Sequence, residues 1–300
     1  VRLLALVLLA ILPALGLVLY TAIDQRRQAS KEAVASAQRI VRIAAAAQKQ
    51  YVETSRQLLF TLAQLREVRP DHPDEAEALF RTLLSVHAIY ANIGAIDADG
   101  YVFASAVPVT NRVYLGDRSY FRAARETQKF AVGEFQTGRI TGKPTLNMAY
   151  PIRGRMSGNF YGVIYVALDL NWLNQLAAKA ELPDGSTFTV IDRRANILVR
   201  YSIPESHQSW VGESLKENPR IMEFLKRGGE SSGVSSGLDG VRRLYTSTPL
   251  IRTAGLADAH VIVGIPLKAA YEAANHMLAQ NLIILGIVAA LALAAAWISS

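Results

Sequence analysis

The residues best placed to do chemistry stand together at Arg118-Ser119-Tyr120-Phe121. A guanidinium beside two rings is a common holder of small anions, because its fork matches a carboxylate and the rings exclude water. The plainer alternative is structural: Arg118 in an ion pair with Glu134 or Asp99, and Tyr120 and Phe121 in the core. Three further candidates follow downstream. Arg139 stands on a loop flanked by Gly138 and Gly142, where it could close over a ligand. Asn147 and Tyr165 fall on strand-like runs, and alternation puts Tyr161, Tyr165 and Ala167 on one strand face. Arg122 and Arg125 read as solvated helix charges.

Other chemistries find little support. The five histidines are scattered, and none pairs with another at metal-ligand spacing. The absence of cysteine excludes zinc–thiolate sites, disulfides and thiol nucleophiles. No nucleophile elbow or phosphate-binding glycine loop occurs, so neither an enzyme nor a cofactor is expected. Asp97-Ala-Asp-Gly100 begins like a calcium loop but lacks the later ligands, and reads as a hairpin turn. The net charge of +7 is dispersed, which argues against a nucleic-acid groove.

The elements that must position these residues begin at the ends of the chain. Residues 3–23 carry no charge over about 21 residues, roughly 31 Å of helix, enough to cross a bilayer. A signal peptide is the rival reading, but its apolar region would be shorter. Residues 277–298 form a second uncharged run. Both ends are expected in the cytoplasm, with 24–276 outside it. The start at Val1 and the end at Ser300, just past an apolar run, point to a piece of a longer protein.

From Asp24 to about Glu67 there is neither proline nor glycine, and the composition favours helix. Val34, Val41 and Leu62 share one heptad position, which Gln48 and Ser55 interrupt. Ala37, Ala44, Tyr51, Leu58 and Leu65 share another. Such a narrow stripe suits the wall of the helix's own domain or a partner helix equally. A short helix is expected over 74–86. Strands follow at 90–97 and 101–106, then a helix to Thr127 capped by Asp117. Three antiparallel strands (130–136, 145–152, 160–168) and a helix over 171–180 complete the unit.

The same order then recurs. Ile96-Asp97 and its hairpin have a partner at Ile191-Asp192, about 95 positions on, and strand 163–168 has a counterpart in 261–266. A second helix is expected to open with a capping box at Ser214 and Glu217 and to end at Gly228-Gly229. The implied fold class is α+β: two similar modules, each one antiparallel sheet with helices, in tandem on a long N-terminal helix between two membrane spans. No proline or glycine interrupts Lys268 to Leu285, so the last strand is expected to feed the second span without a break.

DRSYFRAARE, VGEFQTGRITGKPTLNMAYPI and YGVIYVALDLNWL, with two spans, a long first helix and two such modules, resemble the double Cache sensor domains of bacterial transmembrane receptors. The resemblance covers nearly the whole chain. It implies PAS-like modules: a stalk and short helix at 24–86, a membrane-distal module at 87–182 and a membrane-proximal one at 183–276. It also implies a small-molecule ligand sensed in the distal module, a homodimer in the inner membrane, a periplasmic sensor region, and a histidine kinase, diguanylate cyclase, phosphodiesterase or chemoreceptor as output. One branch of that family binds amino acids through Arg-x-Trp-Tyr and a later aspartate. Here the first motif falls on Arg118, Ser119, Tyr120 and Phe121, and the aspartate on Ala167. The carboxylate-binding arginine is kept and the ammonium-binding carboxylate is lost. An unpaired buried charge costs several kcal/mol, so an amino acid is disfavoured unless Glu134 substitutes. The expected ligand is a small anion, a carboxylate, held by Arg118 with Tyr120, Phe121, Tyr165, Asn147 and Arg139. The alternative is a membrane-anchored interaction module without a small ligand, which a distal module lacking a cavity would favour.

Overall fold

The computed structural model describes residues 2–154, 158–192, 194–203, 210–227, 229–253 and 256–298. Helix α1 (Arg2–Leu62) is followed by α2 (Pro73–Val86). A first sheet then forms from β1 (Tyr90–Asp97), β2 (Val102–Ser105), β3 (Ala131–Thr137), β4 (Pro144–Arg153) and β5 (Phe160–Asp169), with α3 (Ser119–Thr127) between β2 and β3. After α4 (Asn171–Ala178) the pattern repeats: β6 (Thr187–Asp192), β7 (Ile197–Ser202), α5 (Pro219–Arg227), β8 (Ser231–Ser236), β9 (Arg242–Thr253) and β10 (Leu256–Pro266). Helices α6 (Leu267–Ala270) and α7 (Glu272–Ile298) close the chain. The sheet orders are β2-β1-β5-β4-β3 and β7-β6-β10-β9-β8, the same arrangement twice, and every pairing is antiparallel.

The internal repeat has a local cause. Asp97 Oδ1 accepts from the amides of Asp99 and Tyr101 at 3.0 and 2.9 Å. Asp192 Oδ1 accepts from those of Arg194 and Asn196, both at 2.8 Å. One aspartate thus closes the first hairpin of each module by offering the backbone a side-chain partner.

Alternation along the central strands divides the core. Ile164, Val166 and Leu168 of β5, and Val261, Val263 and Ile265 of β10, join one cluster with α1. Val163 and Tyr165 face the other way, towards α3, and Ile262 faces α5. The α1 stripe is used inwardly: Val41, Gln48, Ser55 and Leu62 are all buried, and Ser55 Oγ lies 2.9 Å from Tyr90 Oη. Ala37, Ile40, Val41 and Ala44 share that cluster with second-sheet residues, and Leu59, Leu62 and Ala63 with the first. The stripe thus packs on its own domain.

Several expectations are corrected. Tyr161 does not share a face with Tyr165, because the register slips between Ile152 and Arg153 and Gly162 takes a φ of +143°. This bulge inverts the alternation, so Tyr161 packs on the α1 side, beneath Arg69. Asp117 does not cap α3; Arg118 occupies the cap position in extended conformation, and its side chain makes no capping bond. The box at Ser214 and Glu217 does not form. Instead α5 begins at Pro219, and Asn218 Oδ1 accepts the Ile221 amide at 3.3 Å, since Pro at the first position has no amide to satisfy. The helix after β10 is interrupted at Tyr271 (φ −103°, ψ 3°), although the Tyr271 amide still reaches Leu267 O and Asn275 N reaches Tyr271 O.

Of the two expected spans, one helix among the described residues is long and apolar enough to cross a membrane: Glu272–Ala295, 24 residues with mean hydropathy 2.2. Segment 3–23 lies within α1, but the side chains of most of its first ten residues lie outside the described ones. Arg26 donates twice to Asn275 Oδ1, at 3.0 and 2.7 Å, and ties α1 to α7.

A Cβ on Gly162 would sit 1.9 Å from Ile96 O, besides forcing a left-handed residue into a strand. Gly162→Ala should lower stability by about 3 kcal/mol or more. Thermal unfolding followed by circular dichroism measures this, and an unchanged midpoint would remove the bulge from the account.

Candidate functional site

The face of the first sheet turned away from α1 carries a cross-strand row, Asn92–Ala167–Asn147, from β1, β5 and β4. Next to it runs Gly94–Tyr165–Ala149. Helix α3 and the β3–β4 loop cover this face and leave a small cleft open to solvent. Tyr120, Tyr165, Asn147, Asn92, Gln136 and Arg139 give it its polar character, and Ala167 lies on its floor.

Tyr165 is held there by its neighbours. A Cβ on Gly94 would meet the Tyr165 ring and hydroxyl at 2.8 Å, so this strand position must stay bare for the ring to lie across β1. Asn92 Nδ2 donates to Tyr165 Oη at 3.1 Å and to Ser105 Oγ at 2.9 Å, and Asn92 Oδ1 accepts from the Val107 amide at 3.1 Å. Burial pushes the Tyr165 pKa well above its ordinary value, so the phenol stays protonated. The Tyr120 ring lies 5.8 Å from it, centroid to centroid. Gly133 leaves room for Tyr120, since a Cβ there would be 3.0 Å from the tyrosine Cβ.

Tyr120 Oη is buried and has no hydrogen bond of ordinary geometry. Its pKa is pushed up to about 12 by burial, which nearby Asn147 only tempers. Asn147 Oδ1 is engaged by Thr145 Oγ1 at 2.7 Å. Arg118 is half-buried. Its Nη1 donates to Gln136 Oε1 at 2.9 Å, while its Nε is buried without a partner. Among the described residues no carboxylate comes within ion-pair distance of it, so the pairs with Glu134 and Asp99 do not form. Arg139 is committed instead: it makes a two-pronged pair with Asp117 at 3.1 and 2.9 Å and also donates to Tyr114 O. The hydrogen bond from Arg139 holds the Asp117 carboxyl below the usual range.

Four of the six expected residues, Tyr120, Tyr165, Asn147 and Arg139, therefore meet at one cleft. Phe121 does not; it is packed into the cluster under α3. Arg118 stands one layer back, behind Gln136. Asn92, Ser105 and Gln136 were not singled out from sequence. Asn92 had a signal, as the one amide in the apolar run YANIGAID. Gln136 had none, because its place depends on how the β3–β4 hairpin folds over the sheet.

Two matched five-stranded sheets on one helix, with a polar cleft between the first sheet and its covering helix, define a tandem α+β sensor domain. The chain belongs to the Cache domain family: the double form, dCache_1, matches residues 25–274. It is structurally like the ligand-binding domain of the Pseudomonas fluorescens chemoreceptor CtaA in complex with L-isoleucine (16% identity, 84% of this chain and 98% of that one, TM-score 0.57). It is also like that of the Pseudomonas aeruginosa chemoreceptor PctB in complex with L-Arg (18%, 78% and 95%, 0.55). The V. cholerae histidine kinase DctB sensor domain is a third (15%, 81% and 98%, 0.55). In sequence, 108 residues are 25% identical to Sporulation kinase D of Bacillus subtilis, covering 36% of this chain and 21% of the kinase. The chain thus spans about a fifth of the length of that curated relative.

An unpartnered buried hydroxyl weakens a fold, whereas a bonded amide holds it. Tyr120→Phe should leave the unliganded protein as stable as before or up to about 1 kcal/mol more so, and Asn92→Ala should cost about 1–3 kcal/mol. Chemical denaturation of the two variants side by side checks this; the reverse order would mean that the Tyr120 hydroxyl is already satisfied.

Proposed function

We propose that this chain is the extracytoplasmic sensor region of a two-pass membrane receptor, and that its first module binds a small carboxylate. The observation that carries this is Arg118. It is a half-buried guanidinium that makes no ion pair among the described residues, its neighbour Asp117 being held by Arg139, and Gln136 joins it to a cleft whose described walls hold no acid. An arginine so placed is short of an anion, and a carboxylate that displaces Gln136 from Nη1 would supply one. Tyr120 Oη, buried and protonated, is a waiting donor. The polar lining of the cleft supports this reading over a module without a ligand.

CtaA and PctB are each named as complexes with an amino acid. In this chain the position of the ammonium-binding aspartate falls on Ala167, between Asn92 and Asn147. Glu134 is exposed and outside the cleft. With neutral amides where a carboxylate would be needed, a carboxylate lacking an ammonium group fits better than a zwitterion.

In this reading 3–23 and 277–298 span the inner membrane, 87–182 is the membrane-distal module in the periplasm and 183–276 the proximal one. Residues 24–86 form the stalk, at which two copies of the chain would pair. The output would be cytoplasmic, of the histidine-kinase or chemoreceptor kind carried by the relatives.

Thermal-shift screening of carboxylates against the chain in detergent micelles identifies the ligand. Arg118→Ala should then cost about 2–5 kcal/mol of its binding free energy. Cations as the best hits, or a variant that binds equally well, would overturn the assignment.

Transmission is proposed to run through α6 and α7. Because the backbone ladder continues across Tyr271, a shift of β10 can reach the membrane as a push or rotation. Two glycines inserted after Tyr271 should leave ligand affinity nearly intact and uncouple output, measured in a chimeric receptor with a reporter kinase. Wild-type signalling from that insertion would route transmission through α1.

A further inference from the structure

The second module has a cleft of its own that the reading of the first leaves unused. It lies in the equivalent place, between sheet β7-β6-β10-β9-β8 and α5, on the side away from α1. Its chemistry differs. Tyr245 faces Gly264 across β9 and β10 as Asn147 faces Ala167 across β4 and β5. A Cβ on Gly264 would meet the Tyr245 ring at 2.5 Å, so the bare glycine lets the ring lie over the strand. An aromatic floor replaces an amide floor, and Leu215, Ile221 and Ile262 extend it as apolar walls.

Among the described residues one cation lines this cleft, Arg200 from β7. Its guanidinium lies 5.6 Å from the centre of the Trp210 ring, and it makes no ion pair or hydrogen bond among the described residues. The neighbouring acids are already taken. Asp239 is gripped by Arg243 through bonds of 2.6 Å to each oxygen, and Arg243 also donates to Gly185 O. Asp169, across the crevice between the modules that Arg200 also borders, pairs with Lys143 at 2.9 Å. Burial works against the charge of Arg200 and lowers its pKa. Ser235 and Ser236 add hydroxyl groups beside it.

We infer that this cleft is a second, separate anion site, which takes a short aliphatic monocarboxylate: the carboxylate on Arg200, the hydrocarbon part against Leu215, Ile221 and Ile262. A guanidinium over an indole, with no ion-pair partner among the described residues, favours a planar anion, and Leu215, Ile221 and Ile262 favour a hydrocarbon remainder. The inference does not rest on ligand binding in the first module.

Isothermal titration calorimetry of the full chain in detergent micelles, with isovalerate as probe and isovaleramide as its neutral counterpart, tests it. Isovalerate should give saturable heat, and isovaleramide should bind about tenfold more weakly or less. Arg200→Gln should weaken isovalerate by about tenfold or more, whereas Arg118→Gln should leave it within about twofold. Leu238→Trp, at a cleft position 39% exposed and so tolerant of a larger side chain, should block binding while the melting midpoint stays in place. If Arg200→Gln fails to fold, this variant and the amide comparison decide. Absence of saturable heat up to about 10 mM, or binding that survives Arg200→Gln or Leu238→Trp, overturns the proposal. Isovalerate binding lost with Arg118→Gln and kept with Arg200→Gln would transfer the ligand to the first module.

Discussion

The structure depends on burying one stripe of α1 against the backs of both sheets. Each sheet has two apolar faces and cannot stay folded with either bare. The helix covers one face of each sheet, and a single cluster runs from Ala37 on the second sheet to Leu62 on the first. Two consequences follow. The modules are joined through a shared core as well as through the peptide chain. The opposite faces are left to short helices, α3 and α5, which are too small to seal them, and there the clefts open.

Within that plan the two modules differ in how they treat charge. The first module satisfies Arg139 with Asp117 and leaves Arg118 leaning on a neutral amide. The second satisfies Arg243 with Asp239 and leaves Arg200 on an aromatic ring. In each case one arginine is locked by an aspartate and serves the architecture, while its neighbour is partly withdrawn from water with no ion pair among the described residues. The locked pairs are the ones with ideal fork geometry, and they deny the other arginine its nearest acid. The floors differ through single positions: Asn147 against Tyr245, Ala167 against Gly264.

The junction between α1 and the last helices combines stiffness with a defined weak point. Arg26 and Asn275 tie the first helix to the last, and buried Ala22 and Ala274 allow close approach there. Tyr271 departs from helical geometry without breaking the hydrogen-bond ladder. A change in β10 therefore has a continuous backbone path to α7, with one residue able to absorb rotation.

What the sequence determined by itself was the part governed by local physics. Period-two runs, glycine and proline punctuation, and the Asp97 and Asp192 turns fix the strands of the first sheet and the repeat of the first hairpin and closing strand, because alternation and turn chemistry act over a few residues; β8 and β9 were not read from the sequence. Tyr165 and Asn147 were legible for the same reason, and Arg118 from its aromatic neighbours. The tertiary structure alone decided which face each residue serves. One bulge at Gly162 sent Tyr161 to the back of the sheet, against simple alternation. The partner of Arg118 could not be read, because Gln136 reaches it across a hairpin, 18 residues away. Asp117 looked like a cap and became an anchor for Arg139, because the loop after β3 folds over it. Arg200 was unremarked in sequence, since its isolation depends on Asp239 and Asp169 being held elsewhere, a matter of three-dimensional pairing that no local pattern encodes.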